Sequence, residues 1–153
     1  GHEIQGLGEQ AVCVEQMTAK ACRKELRKIR ETIGTVTEEP GVFFRIPGGE
    51  YNNEVLRTIY ACGSYPVAWS VDSMDWKEYE ASELVRQLLQ SCTIRDGEIL
   101  RFHGEGENTG EMVKLLHPRL KEEGYEAVTV SQMVYKDRYR MTTDGRQIPE
   151  KSK

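Results

Sequence analysis

The sequence predicts an α/β fold built on largely parallel strands, and three observations carry that reading. Short apolar runs that suit buried strands alternate with longer segments of helical periodicity. The connections are short and punctuated by glycine or proline, as at Pro40-Gly41, Gly63, Asp96-Gly97 and Gly124. Three strand-like runs end in polar clusters: Arg45-Ile46-Pro47-Gly48-Gly49, Asp72-Ser73-Met74-Asp75-Trp76 and His103. In parallel α/β domains the C-terminal strand ends share one rim, so side chains distant in sequence meet over one site.

Each element has a local reason. Thr18 suits an N-cap for a helix over 19–34, with Cys22, Leu26, Ile29 and Ile33 on one face and Gly34 to close it. Residues 42–45 read as a buried strand, 53–62 as a helix ended by Gly63, and 66–71 as the next strand. The fullest helical stripe is 81–92, through Ala81, Leu84, Val85, Leu88, Leu89 and Cys92. Strand 98–103 follows, then a helix over 111–123 that Pro118 should kink or restart. Residues 126–130 read as a last strand and 131–135 as a short helix. The organisation expected is one domain over 1–135 and a polar, loosely held tail over 136–153.

A chain of 153 residues holds one domain with a real core. Its net charge of −4, with acidic and basic residues intermixed, argues against a nucleic-acid binder. No apolar run reaches the roughly 18 to 20 residues of a membrane span. Cys13, Cys22, Cys62 and Cys92 are scattered without a C-x-x-C pair. The last three fall in helical patterns as small buried thiols. The glycine-rich stretch 104–110 is no phosphate loop: Thr109 takes the third glycine's place, and Glu105 and Glu107 would repel phosphate.

The rim clusters bring an arginine, a carboxylate beside a tryptophan, and a histidine, a kit for acid–base chemistry on an amide or ester. The segments Gly1-His2-Glu3-Ile4, Phe44 to Asn52, Trp69 to Lys77 and Gly97 to His103, in that order, resemble the polysaccharide deacetylases. These are the NodB-homology domains of carbohydrate esterase family four. The resemblance implies a deformed (β/α) barrel, here incomplete, with the family's first strands expected before Gly1. It implies removal of N-acetyl groups from N-acetylglucosamine polymers with the help of a divalent metal such as zinc. The partner implied is an acetylated polysaccharide or peptidoglycan glycan, and the location the cell envelope or exterior, though no export signal is visible.

Carried over residue by residue, Arg45 matches the arginine that orients the base aspartate, and the Gly48 N–H an oxyanion donor. Asp75 matches the carboxylate behind the catalytic histidine, Trp76 the groove wall, and His103 the general acid. Plainer roles stand beside these: a structural ion pair for Arg45, a loop cap for Asp75, core packing for Trp76. The departures are specific. The family's two metal-binding histidines fall at Leu7 and Ala11, which have no lone pair, and the chain's three histidines offer no replacement pair. No metal is therefore expected in this chain. Arg101 stands where the family has a leucine lining the acetyl pocket, and Gly48 where it has an aromatic residue. Together these predict an inactive deacetylase-like domain, or a glycan-binding or scaffold domain of the same descent. Unpaired strand edges predict self-association.

Overall fold

The computed structural model, which describes residues 2–8, 18–37, 41–104 and 106–150, bears out the alternation of strands and helices. Strand β1 (Gly6–Leu7) leads to helix α1 (Ala19–Val36), whose first turn is capped by Thr18, its hydroxyl accepting from the Ala21 N–H at 3.3 Å. Gly34 does not end this helix. The chain runs on to Val36, and the Thr37 N–H closes it on the Ile33 carbonyl at 2.9 Å. Strand β2 (Phe43–Arg45) follows, then helix α2 (Asn53–Ala61), capped by the Asn52 carboxamide accepting from the Val55 N–H. Gly63, at φ 67°, turns the chain into strand β3 (Tyr65–Val67).

These three strands pair in parallel in the order β1-β2-β3, with Leu7 opposite Arg45 and Arg45 opposite Val67. Helix α1 lies so close to β1 that a Cβ on Gly6 would sit 2.8 Å from Ile29 Cγ2. Beneath them Cys22, Leu26, Phe44, Ile46, Val55 and Ile59 form one core cluster.

The expected strand over 66–71 is broken. Its first part pairs with β2 as β3; its last residues begin strand β4 (Val71–Asp72), which pairs in parallel with β5 (Leu100–Arg101). The chain therefore crosses between two sheets at Ala68-Trp69-Ser70, and the parallel strands do not close into a barrel among the described residues. Between β4 and β5 lies helix α3 (Ala81–Ser91), and after β5 helix α4 (Thr109–Glu122). Val71, Ala81, Leu84, Val85, Leu88, Met112 and Leu116 make the second core cluster.

Pro118 neither breaks nor restarts α4. Proline and Lys114, whose carbonyl loses its helical donor, are both exposed, so water can take the missing bond. Residues 126–130 form no strand. Residues 126–128 are exposed, and Thr129 instead caps helix α5 (Val130–Met133) in a reciprocal box with Gln132, a local pairing that outweighs β-propensity.

The tail is not loose either. Strands β6 (Tyr139–Met141) and β7 (Gln147–Pro149) form an antiparallel hairpin. The Arg146 guanidinium donates to Glu98 at 3.0 Å, and Gln147 exchanges hydrogen bonds with the Tyr135 backbone. Burial would raise the Glu98 carboxyl, yet the Ser70 hydroxyl, Arg146 and Arg95 together hold it below its ordinary value. At the other end, the Glu3 carboxylate accepts from the Ser131 N–H and hydroxyl, tying the start of the chain to α5.

Cys22 is a buried thiol, pushed up to about 11 by burial and then by Cys62 and Glu25, which keeps it unreactive. Cys22, Cys62 and Cys92 are free; Cys13 lies outside the described residues. Among the described residues, no helix is long and apolar enough to cross a membrane.

The Glu98 side chain is only 4% exposed, so its charge depends on the hairpin's arginine. Arg146→Ala should accelerate amide exchange over 139–149 by about tenfold while the exchange of α3 and α4 stays slow. Hydrogen-exchange mass spectrometry reads both.

Candidate functional site

The parallel register sets Arg45, Val67, Asp72 and Arg101 at the C-terminal ends of their strands, the position that the rim argument requires. Beyond β4 the chain turns sharply: the Asp72 carboxylate accepts from the Met74 N–H at 3.0 Å, and Met74 adopts φ 54°. That turn sends Asp75 inward, where it is 1% exposed.

A buried carboxylate is tolerated only when its lone pairs are filled. Asp75 Oδ1 accepts the His103 N–H at 2.9 Å, the Ser73 hydroxyl at 3.0 Å, and lies 2.7 Å from His103 Nδ1. Oδ2 accepts the Thr109 hydroxyl, from the first residue of α4, and the His103 N–H at 3.1 Å. Burial by itself would raise this carboxyl. The hydrogen bonds from Thr109, the His103 backbone, the His103 ring and Ser73 outweigh burial and hold it well below the carboxylate range. The loop carrying these donors presses close: a Cβ on Gly106 would collide with the Asp75 carbonyl oxygen. Asp75 is thus more than a loop cap. It joins the β4 loop, the end of β5 and the start of α4.

With Nδ1 committed to Asp75, the His103 ring is oriented, and its Nε2 lies 3.8 Å from Asp72 Oδ2. Trp76 is 56% exposed and meets His103 edge-on, 6.4 Å between ring centroids at 79°. Core packing is therefore not what holds Trp76.

Arg45 and Gly48 sit elsewhere on the rim, around Trp69. The Arg45 guanidinium carbon is 4.7 Å from the Trp69 ring centroid and that of Arg101 is 4.1 Å from it. Arg101 also reaches Asp72 Oδ2, at 3.4 Å. Burial, then the Arg101 charge, push Arg45 below its ordinary value, while Asp72 acts in the other direction. Gly48 is exposed at φ 68°, in a tight 3-10 turn over Pro47–Gly49. Its neighbour Gly49 lies flat on Trp69, where a Cβ would come within 2.7 Å of Cη2.

The structure thus brings Asp75, His103 and Trp76 into one cluster and places Arg45 and the Gly48 turn in another. Arg101 and Asp72 link them, so a continuous series runs Arg45, Trp69, Arg101, Asp72, His103, Asp75. Sequence reading did not single out Trp69, Ser73 or Thr109 as site residues. Trp69 and Ser73 lie inside the motif that was read; Thr109, distant from Asp75 in the chain, carries no sequence signal for this contact.

The donor set does not fit a metal among the described residues: no group of three or more His, Cys, Asp or Glu side chains there is arranged to hold an ion, and the Asp75 carboxylate is already filled by its hydrogen-bond donors. Leu7, opposite Arg45 and 51% exposed, offers hydrocarbon; Ala11 lies outside the described residues.

No family model matches the chain. Over 136 residues it is 29% identical to the peptidoglycan-N-acetylglucosamine deacetylase PgdA of Listeria monocytogenes, covering 87% of this chain and 28% of that protein. Over 102 residues it is 32% identical to the peptidoglycan-N-acetylglucosamine deacetylase of Bacillus cereus, covering 63% and 46%. The chain therefore spans less than half the length of these relatives. Among solved structures, a carbohydrate esterase family four pseudoenzyme from Bacillus anthracis superposes with a TM-score of 0.77 at 23% identity, covering 86% of this chain and 46% of that one.

Asp75→Asn should lower stability by about 3 kcal/mol in urea unfolding, because it removes the charge that the buried donors face. The folded-state pKa of Asp75 is depressed, so its contribution is fully present above the ordinary carboxylate pKa. The contribution disappears as pH falls through that value toward the folded one. Stability of the parent chain should fall steeply on acidification over that window, and the Asp75→Asn profile should be flatter.

Proposed function

We propose that the chain is a domain of the carbohydrate esterase family four, the NodB-type polysaccharide deacetylases, that has lost the metal-assisted step; the likeness to two peptidoglycan deacetylases and to family-four structures supports the reading. The observation that carries the reading is the saturated Asp75 carboxylate with the His103 ring fixed on it, beside exposed Trp76. In family terms the metal would polarise the acetyl carbonyl and activate water, but the described residues do not fit it, and no step is derived through it.

What the chain's own residues can do is narrower. Asp75 holds His103 by Nδ1, so Nε2 is the atom able to give a proton to a departing amine. Trp76 offers an exposed aromatic edge to a sugar ring, and the Gly48 N–H lies on an exposed turn where an oxyanion could be met. Arg45 is held by Trp69 instead of by a base carboxylate among the described residues. A proton donor and a wall without an activated nucleophile do not hydrolyse an amide.

The glycan-binding alternative draws on one further observation: Trp76 is more than half exposed without crowding from the core. Relatives named for peptidoglycan support an N-acetylglucosamine polymer as the ligand and the envelope or exterior as the location.

Acetate release from peptidoglycan fragments and chito-oligosaccharides, with and without added zinc, tests the reading alongside direct binding by calorimetry. We expect binding of the glycan and no acetate above background. Metal-dependent turnover would overturn the inactive reading; failure to bind any of these glycans would overturn the binding role.

A further inference from the structure

Arg101 is the departure that the site geometry makes most specific. A guanidinium placed where an acetyl methyl should rest would be costly if left unsupported. Here it is supported on one side by the Trp69 face, at 4.1 Å, and on the other by Asp72. That support is incomplete. Its one ion pair is long, at 3.4 Å, and its buried Nε has no hydrogen-bond partner among the described residues. Arg45 lies against the same indole, where burial and then the Arg101 charge push it below its ordinary value and Asp72 acts in the other direction.

Counting charges defines the deficit. Two guanidiniums face one carboxylate, Asp72, while Asp75 is turned away and fully occupied by Ser73, His103, Gly104 and Thr109. Among the described residues, one positive charge is left without a matching carboxylate on an indole platform at the rim. A planar guanidinium fork suits a carboxylate. A dianion such as phosphate would overcompensate beside Asp72, and a polyanion would meet a chain of net charge −4.

We propose that the Arg45–Trp69–Arg101 stack is a subsite for a carboxylate carried by a sugar, so that this chain selects an acidic sugar unit where Arg101 replaces an apolar acetyl pocket. The inference rests on reading the rim as a sugar groove. Arg101 and Arg45 hold the carboxylate, Trp69 fixes both cations in place, and Asp72 limits the affinity by competing for Arg101. Gly49 belongs to the same device, since only a residue without a Cβ lets the 47–49 turn lie on Trp69.

The test titrates the chain with glucuronate and with its uncharged methyl ester at constant ionic strength, following the tryptophan indole N–H signals by NMR. The acid should bind about tenfold more tightly than the ester, a difference expected from a charge-assisted hydrogen bond. Arg101→Leu should erase that preference. Asp72→Asn should widen it, a gain that general damage to the fold would not produce. Equal binding of acid and ester, absence of binding by either, or a preference that survives Arg101→Leu would each overturn the proposal. Chito-oligosaccharide binding, measured in parallel, reports on the groove separately: its loss would remove the groove reading while the acid–ester comparison still judges the subsite.

Discussion

A single buried carboxylate organises the rim. Asp75 could not remain ionised in the interior without donors, and those it recruits come from three segments of the chain: Ser73, His103 with Gly104, and Thr109. The Ser73 hydroxyl fixes the turn after β4, the His103 N–H fixes the exit of β5, and the Thr109 hydroxyl fixes the first turn of α4. Once these are satisfied, the His103 ring has one orientation. Gly106 must then pass so near the Asp75 backbone that its position has no room for a side chain. Stability and chemistry share one group here, because the contacts that make burial of the charge tolerable also aim the imidazole.

The second organising contact is the Trp69 indole. The chain leaves one parallel sheet at Val67 and joins another at Val71, and Trp69 lies in that crossing. Arg45 from the first sheet and Arg101 from the second both stack on it, so cation–π contacts tie the crossing alongside the Ser70 N–H, which donates to the Ile99 carbonyl. The two core clusters lie on either side of this crossing, one under β2 and the other between α3 and α4. The rim is where the halves meet through polar side chains.

Likeness to the family-four deacetylases and departure from them thus fall on the same few residues. In the proposed reading, Asp75, His103 and Trp76 correspond to the proton-donor side of a deacetylase site, and Leu7 and Arg101 to the side that would handle a cation and an acetyl group. The changes are not independent losses. Arg101 has acquired partners, in Trp69 and Asp72, that an unused residue would not need.

The strongly periodic segments were legible from sequence because their signals are local. Thr18 and Asn52 cap the helices they precede, Gly63 and Gly124 take positive φ at turns, and the stripe from Ala81 to Leu88 is buried as its spacing requires. Also legible were Arg45, Asp75 and His103 as strand-end residues, since parallel strands must end on one side. Where the structure departs from the expectation, a competing term had won: nonlocal pairing in some places, local capping or hydration in others. The 66–71 run divides because its two ends pair with different strands. Pro118 stays inside a helix because the lost bond faces water. The polar tail folds because Glu98, buried elsewhere, needs Arg146. By itself the sequence determined the alternation of strands and helices from α1 to α4 and which polar residues would share a rim, because these follow from periodicity and chain direction. Only the tertiary structure decided that Thr109 completes Asp75, that Trp69 joins two arginines, and that Arg101 is held and not merely inserted. Each of these is a contact between residues far apart in the chain, and no local pattern encodes its geometry.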